Sequence, residues 1–198
     1  MKKVIVISTS LRRGSNSDML ADRFVEGAKA AGNEVEKISL VGKNIQFCKG
    51  CMGCQKLGRC VINDDVNDIM SKVLKADVIC WATPIYYYEM SGQMKTLIDR
   101  MNAMYEQDYA FRDVYLLTTA AYQTLNMIFE MMNMPVVTSQ YWNIAYGLAP
   151  GEVIQDTEGM QTMRVLADNM AWLLKKIHAN GNPDYPEREE WQGMNFIR

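Results

Sequence analysis

Short apolar runs alternate along this chain with longer stretches of helical periodicity. Residues 3–8 (Lys-Val-Ile-Val-Ile-Ser) are continuously apolar, as a strand buried on both faces requires. Over 17–31, Met19, Leu20, Phe24 and Ala28 recur near helical spacing, and Gly32 ends the pattern. Residues 34–40 alternate around Val35, Ile38 and Leu40, which predicts a half-buried or edge strand. Asp64 or Asp65 can cap a helix striped by Val66, Ile69, Met70, Val73 and Leu74. Residues 77–83 predict a second buried strand, stopped by Pro84. Ser91 can cap a helix carrying Met94, Leu97, Ile98 and Met101. A fourth strand is predicted from Val114 to Thr119, a Met-rich helix over 121–133, and a fifth strand from Pro135 to about Gly147. Met163, Leu166, Met170, Leu173 and Ile177 stripe a long last helix.

Five strands alternating with five helices predict an α/β fold, a doubly wound five-stranded parallel sheet in three α/β/α layers. Residues 1–180 read as one domain, with 41–64 as a cysteine-rich insertion loop. No internal repeat or low-complexity linker interrupts it. The tail, 181–198, carries a charged run and then Trp191, Phe196 and Ile197, a composition suited to docking on a partner subunit. In such a sheet the strand-to-helix loops gather at the carboxyl edge, where ligands bind. Residues 9–17, 41–64, 83–91 and 119–124 should meet there.

Composition narrows the function. Of 198 residues, 48% are hydrophobic and 22% charged, enough apolar surface for a core. Twenty-one basic against 23 acidic side chains leave a net charge of −2, which argues against a nucleic-acid partner. No apolar run approaches the roughly 20 residues of a membrane span. The Met-Lys-Lys start has too short an apolar stretch for a signal peptide, so the expected location is cytoplasmic. The 16 methionines read as core filler, and Lys95 with Asp99 as a surface pair. The single histidine, His178, falls at a helix end and reads as a surface residue.

The first loop holds Ser8, Thr9, Ser10, Ser15 and Ser17, five hydroxyls, with Arg12, Arg13 and Asn16, just before a helix start. Free N–H groups at such a start favour an anion, and hydroxyls add donors without charge. Asp18, in the first helical turn, opposes a dianion unless it turns away. The same residues also make an ordinary capping loop. Neither G-x-G-x-x-G nor G-x-x-x-x-G-K-[ST] occurs, which disfavours a dinucleotide half-site or an ATPase. A hydroxyl-rich loop suits a monophosphate, and in a fold of this strand pattern the usual one is FMN. The loop after the third strand, Thr83, Pro84, Ile85, Tyr86, Tyr87 and Tyr88, offers aromatic faces and backbone polar groups to a flat heteroaromatic ring. Thr119 and Tyr122 form a further polar wall.

These residues carry a resemblance. The run from Thr83 to Lys95, ending Ile98-Asp99-Arg100, together with Ser10-Leu11-Arg12 and Ser15-Asn16-Ser17, resembles the flavodoxin-like NAD(P)H-dependent FMN reductases in order over about residues 1–178. Leu11 stands where that family has proline, and Thr9 where it has glycine. The resemblance implies that FMN phosphate meets Ser10, Arg12, Ser15, Asn16 and Ser17, with the isoalloxazine on residues 83–88 and Thr119 and Tyr122 nearby. It also implies a homodimer with flavins near the interface.

Cys48, Cys51, Cys54 and Cys60 fall within thirteen residues, with Gly50, Gly53 and Gly58 between them, while Cys80 lies in an apolar run and reads as buried. Spacings of two, two and five residues let one tight loop converge on a small inorganic core. Structural zinc normally uses two separated pairs, so iron–sulfur outranks zinc. The spacing is similar to that of the iron–sulfur flavoproteins, a branch of the same family that holds a 4Fe–4S cluster beside FMN. Plain FMN reductases look alike here too, including Asp64-Asp65, so metal-free thiols stay open. The loop follows the second strand, which would set a cluster at the sheet's carboxyl edge beside the flavin.

Two functions follow. The first is an FMN oxidoreductase that takes a hydride from NAD(P)H and passes electrons to a small-molecule acceptor such as a quinone, a nitro or azo compound, or a flavin. The hydride chemistry belongs to FMN, so no catalytic side chain is required. The second is an iron–sulfur flavoprotein that carries electrons to ferredoxin-like redox proteins.

Overall fold

The computed structural model describes residues 1–87, 89–104, 113–117, 126, 129, 133–147, 149–179 and 190. Strand β1 (Lys3–Ser8) lies between β2 (Glu34–Ser39) and β3 (Val78–Ala82), and β6 (Asp113–Leu117) flanks β3. All pairings in this β2-β1-β3-β6 sheet are parallel. The order follows the doubly wound pattern in which the chain reverses direction across the sheet beside β1 and β3.

Alternation along β1 and β3 divides the core. Ile5, Ile7, Ile79 and Trp81 face helices α3 (Val66–Val73) and α4 (Gly92–Arg100). Val4, Val6, Val78, Cys80 and Ala82 face α1 (Asn16–Ala30) and the last helix, α5 (Thr157–Ile177). Period-2 side chains that are apolar on both faces demand helices on both sides, and this produces the three α/β/α layers. Methionine fills both halves, with Met94 and Met104 in one and Met163 and Met170 in the other. Gly27 lets α1 and α5 close, because a Cβ there would meet Ala167 Cβ at 2.8 Å.

Three expectations change. Residues 135–147 do not form the fifth strand; Val136 makes a single bridge and the rest is irregular, so among the described residues the sheet has four strands. The segment is instead tied to α5: Ser139 Oγ donates to Thr162 C=O at 2.7 Å, and Asn169 Nδ2 to Thr138 C=O at 2.8 Å. The second of these bonds occupies a carbonyl of the segment that a ladder would otherwise use. Between β3 and α4 the chain forms a small antiparallel hairpin, β4 (Ile85–Tyr86) with β5 (Glu89–Met90). Inside the cysteine loop stands a one-turn helix, α2 (Gly53–Leu57).

Of the helix expected over 121–133, Asn126 and Phe129 are helical, and Asn133 (φ +53°) ends it, with Met134 N–H donating to Phe129 C=O at 3.0 Å. Thr119, Tyr122, Tyr88 and the expected tail over 181–198, except Glu190, lie outside the described residues. Among the described residues, no helix is long and apolar enough to cross a membrane.

Candidate functional site

The loops after β1 and β3 meet at the carboxyl edge around a cavity of about 320 Å³. Ser10, Arg12, Ser15, Asn16 and Ser17 line one side, and Thr83, Pro84, Ile85 and Tyr86 the other. Nine of the residues singled out from the sequence therefore share one wall-to-wall space. The volume is in the range of small-molecule sites.

Local chemistry explains the first wall. Ser15 takes extended backbone as the N-cap of α1, and its Oγ accepts from Asp18 N–H at 3.3 Å. Ser10 Oγ accepts the Arg12 N–H at 3.2 Å, which holds the turn between them. The first N–H groups of a fifteen-residue helix thus open on the cavity, carrying the positive end of its dipole. Asn16 donates from Nδ2 to Gly147 C=O, while its Oδ1 is buried with no hydrogen-bond partner. Such an orphaned acceptor fits a hydroxyl-bearing ligand. Asp18 turns away from the cavity: its Oδ1 accepts from Ser8 Oγ at 2.7 Å and sits 2.8 Å from Lys37 Nζ. The acid in the first turn is neutralised on the far side.

The two walls are joined by buried hydroxyls. Ser91, the N-cap of α4, donates its N–H to Thr83 Oγ1 at 3.1 Å, and its Oγ lies 3.2 Å from both Thr83 Oγ1 and Thr9 Oγ1. Thr9 N–H in turn reaches Ala82 C=O at 2.9 Å. The β1 and β3 loops are thereby locked together beneath the cavity. The tyrosines separate on the hairpin: Tyr86 lines the cavity, whereas Tyr87 is 95% exposed with φ +49° and does not line it. A non-glycine residue in that conformation is uncommon and strained.

The third wall was not read from the sequence. Asn143, Ala145, Gly147 and Pro150 close the cavity from the irregular segment before α5. The signal lay in the turn residues Gly147, Pro150 and Gly151, which are poor material for a strand. A Cβ on Gly147 would meet Asn16 Nδ2 at 2.6 Å and Val153 N at 2.8 Å, so the close approach requires glycine. Beside this wall Tyr141 and Trp142 stack at 5.5 Å and are exposed.

Cys48, Cys51, Cys54 and Cys60 line a second hollow, of about 30 Å³. All four are free thiols; Cys48 and Cys51 are exposed and Cys60 is buried. Three sulfurs already receive N–H donors: Cys48 from Gly50 N at 3.5 Å, Cys54 from Asn102 Nδ2 at 3.6 Å, and Cys60 from Arg100 Nε at 3.1 Å. Among the described residues no three His, Cys, Asp or Glu converge on a single metal ion. Four thiols around one hollow, with donors on the sulfurs, instead suit a polynuclear core that spreads its ligands wider than one ion does. The hollow has room for about two waters, so a core of that kind would require the loop bearing the exposed Cys48 and Cys51 to open around it.

Arg100 is 1% exposed and organises this loop. Its Nη1 and Nη2 pair with Asp64 Oδ2 and Oδ1, both at 2.9 Å, and Nη1 also donates to Gln46 C=O at 2.7 Å. Burial opposes the charge on Asp64, but bonds from Arg100 and from the Gln46 and Val66 N–H groups outweigh it and hold the carboxyl below its ordinary range. Burial likewise works against the Arg100 charge, and the Asp64 and Cys60 contacts overcome it. For Cys80, burial pushes the thiol well up, which leaves it inert.

The thiols line a hollow that shares no residue with the first cavity; they pack against Asp99, Arg100 and Asn102 at the C-terminal end of α4, whose N-cap, Ser91, bonds Thr83 of the first cavity.

Comparison with known proteins bears on both features. A family model for NADPH-dependent FMN reductase matches residues 2–149. An iron-sulfur flavoprotein of Methanocaldococcus jannaschii is 31% identical over 191 residues, covering 88% of this chain and 98% of that protein. An iron-sulfur flavoprotein of Methanosarcina thermophila is 29% identical over 191 residues, covering 90% of this chain and 98% of that one. The solved structure of RosB with bound 8-demethyl-8-formylriboflavin-5'-phosphate has a TM-score of 0.70 at 17% identity, covering 100% of this chain and 94% of that one, and shares the fold. With residues 2–149 of 198 matched and a full-length relative above 30% identity, the chain belongs to the FMN-binding NADPH-dependent FMN reductase family of oxidoreductases.

Proposed function

We propose that this chain is an FMN-dependent oxidoreductase that accepts a hydride from NAD(P)H and delivers electrons through an iron–sulfur group on the cysteine loop. The observation that carries the reading is the cavity where Ser10, Arg12, Ser15, Asn16 and Ser17 face Thr83 to Tyr86. In this reading the hydroxyls, Arg12 and the α1 N-terminus hold the phosphate, because Asp18 is turned onto Lys37 and leaves the dipole unopposed. Pro84, Ile85 and Tyr86 seat the flavin ring, and Thr119 and Tyr122 complete its surroundings. Tyr87, outside the cavity, has no part in seating it within the same chain. When bound, FMN supplies the hydride and single-electron chemistry, and the protein contributes position and environment.

Cys48, Cys51, Cys54 and Cys60 hold a 4Fe–4S cluster in this reading, supported by the sulfur-directed N–H donors and by the names of the two relatives. The acceptor is then a small redox protein or a small molecule such as a quinone. The active unit is a homodimer in the cytoplasm, where the exposed thiols stay reduced. Exposed Tyr141, Trp142 and Tyr146 provide aromatic surface for the pairing.

A second reading, an electron carrier without NAD(P)H turnover, is favoured by the exposure of Cys48 and Cys51. Anaerobic purification with a visible spectrum and iron assay, followed by NAD(P)H, separates the two. Rapid bleaching of bound flavin supports the oxidoreductase. Iron-bearing protein whose flavin stays yellow selects the carrier, and colourless protein that does not take up FMN defeats both.

A further inference from the structure

The cysteine loop is anchored by one buried guanidinium. Arg100 lies at the end of α4, forty residues from Cys60 and thirty-six from Asp64. Every side of its fork is used: Nε–H on Cys60 Sγ at 3.1 Å, Nη1 on Gln46 C=O and Asp64, and Nη2 on Asp64. Gln46 stands just before the first cysteine of the loop and Cys60 is its last. A single side chain thus clamps both ends of the segment that bears the four thiols.

The orientation of the pair has an electrostatic consequence. The Asp64 carboxylate sits on the Nη side, so Cys60 sulfur meets the positive end of the ion pair. Both Asp64 and Arg100 side chains are fully buried, so water does not screen that field. Hydrogen bonds to sulfur, local charge and solvent exposure are the features that set the potential of iron–sulfur groups. Lysine could place a charge there but not a fork, because its ammonium is a point donor.

We infer that Arg100 is a positioning residue that seats Cys60 as a ligand and, through its Nε–H, raises the reduction potential of the iron–sulfur group on this loop. The inference rests on the cluster reading above. Uptake of one electron adds one negative charge to that group, and the N–H dipole stabilises the more negative state; Arg100 itself neither gains nor loses a proton.

The test compares wild type, Arg100→Lys and the double variant Arg100→Gln/Asp64→Asn, which replaces the ion pair by neutral amides and leaves no buried charge alone. Each is purified anaerobically, assayed for FMN, iron and acid-labile sulfide, and titrated with dithionite while the iron signal is followed by electron paramagnetic resonance. Wild type should carry iron and sulfide at 4Fe–4S stoichiometry. The double variant should keep its FMN and either lose iron, through failure to seat Cys60, or hold a cluster whose electron affinity falls about tenfold, a 59 mV negative shift for one electron. Arg100→Lys should fall between the two. A cluster of unchanged potential in both variants overturns the role assigned to Arg100 and leaves the cluster reading standing. Wild type without iron overturns both. Should the double variant not fold, Arg100→Lys decides alone: wild-type iron content and potential refute the inference, and loss of either with FMN retained supports it.

Discussion

Lys37, on β2, places its ammonium 2.8 Å from Asp18 Oδ1, on the side of α1 that faces away from the candidate phosphate loop. The same ammonium lies 2.7 Å from Asp22, so one cation serves two acids of α1. Without it, Asp18 would keep the Ser8 hydroxyl but no cation, and its charge would stand uncompensated in the first helical turn, against any phosphate bound there. Lys37→Met should therefore weaken FMN binding although Lys37 does not line the cavity. The expected loss is that of a charge near a helix terminus, about 0.3–1 kcal/mol or roughly two- to fivefold in Kd. Fluorescence titration of FMN at low ionic strength measures it, and an unchanged Kd rejects the role.

Arg12 is the charged side chain on the cavity wall. Arg12→Ala should cost a charge-assisted hydrogen bond, about 1.5–3 kcal/mol, or roughly ten- to 150-fold in FMN affinity. Riboflavin, which lacks the phosphate, provides the control and should bind both proteins alike. Equal losses for FMN and riboflavin would place Arg12 away from the phosphate.

Gly147→Ala tests the third wall. The new methyl would press on Asn16 Nδ2 and on the Val153 backbone, of which only the side chain can yield. Displacement of Asn16 disturbs the first residue of α1, so FMN affinity should drop roughly five- to 150-fold, a loss of about 1–3 kcal/mol from overpacking. Calorimetric titration that finds wild-type affinity removes Gly147 from the site.

Ser91→Ala removes the N-cap of α4 and the hydroxyl shared by Thr9 and Thr83. Loss of the cap costs about 0.5–2 kcal/mol. Loss of the hydroxyl contacts to Thr9 and Thr83, which keep their bonds to Ala82 C=O and Pro84 C=O, should add to it and loosen the joined loops. Urea denaturation should show the lower stability, and FMN binding should weaken in parallel. A stable variant with weakened binding would instead assign Ser91 to the ligand.

Asp64→Asn leaves the buried Arg100 charge without its partner, at about 3–5 kcal/mol of stability near neutral pH. The pH dependence has a definite sign. Because the folded-state pKa of Asp64 lies below its ordinary 3.8, its contribution is complete above that value and disappears as pH falls through the lowered one. Wild type should thus lose stability in acid more steeply than Asp64→Asn, whose curve starts lower and runs flatter. Parallel curves below pH 4 in chemical denaturation would contradict the pairing.

Strands β1 and β3 were legible because a run that is apolar on both faces has no alternative to burial between helices. The cap at Ser91 and the cap at Ser15 in the hydroxyl-bearing loop were legible for a related reason: both depend on residues within a turn of each other. The hairpin of β4 and β5 was not. Nothing in three consecutive tyrosines announces a turn, and Tyr87 adopts φ +49° against its own preference because the strands around it pair. Residues 135–147 misled by their β-branched content, since the competing bonds to Thr162 and Asn169 come from a helix more than twenty positions away.

The amino-acid sequence by itself determined the layered α/β architecture, the rim at which the hydroxyl and tyrosine loops gather, and the four thiols on one loop, all through periodicity and short-range chemistry. Tertiary structure alone decided the direction of Asp18, the use of Asp64 for Arg100, the closure of the cavity by Gly147, and the packing of the thiols against Asp99, Arg100 and Asn102. Each of these depends on partners distant along the chain. Directional hydrogen bonds and buried charge select such partners only after the apolar layers have brought them within reach.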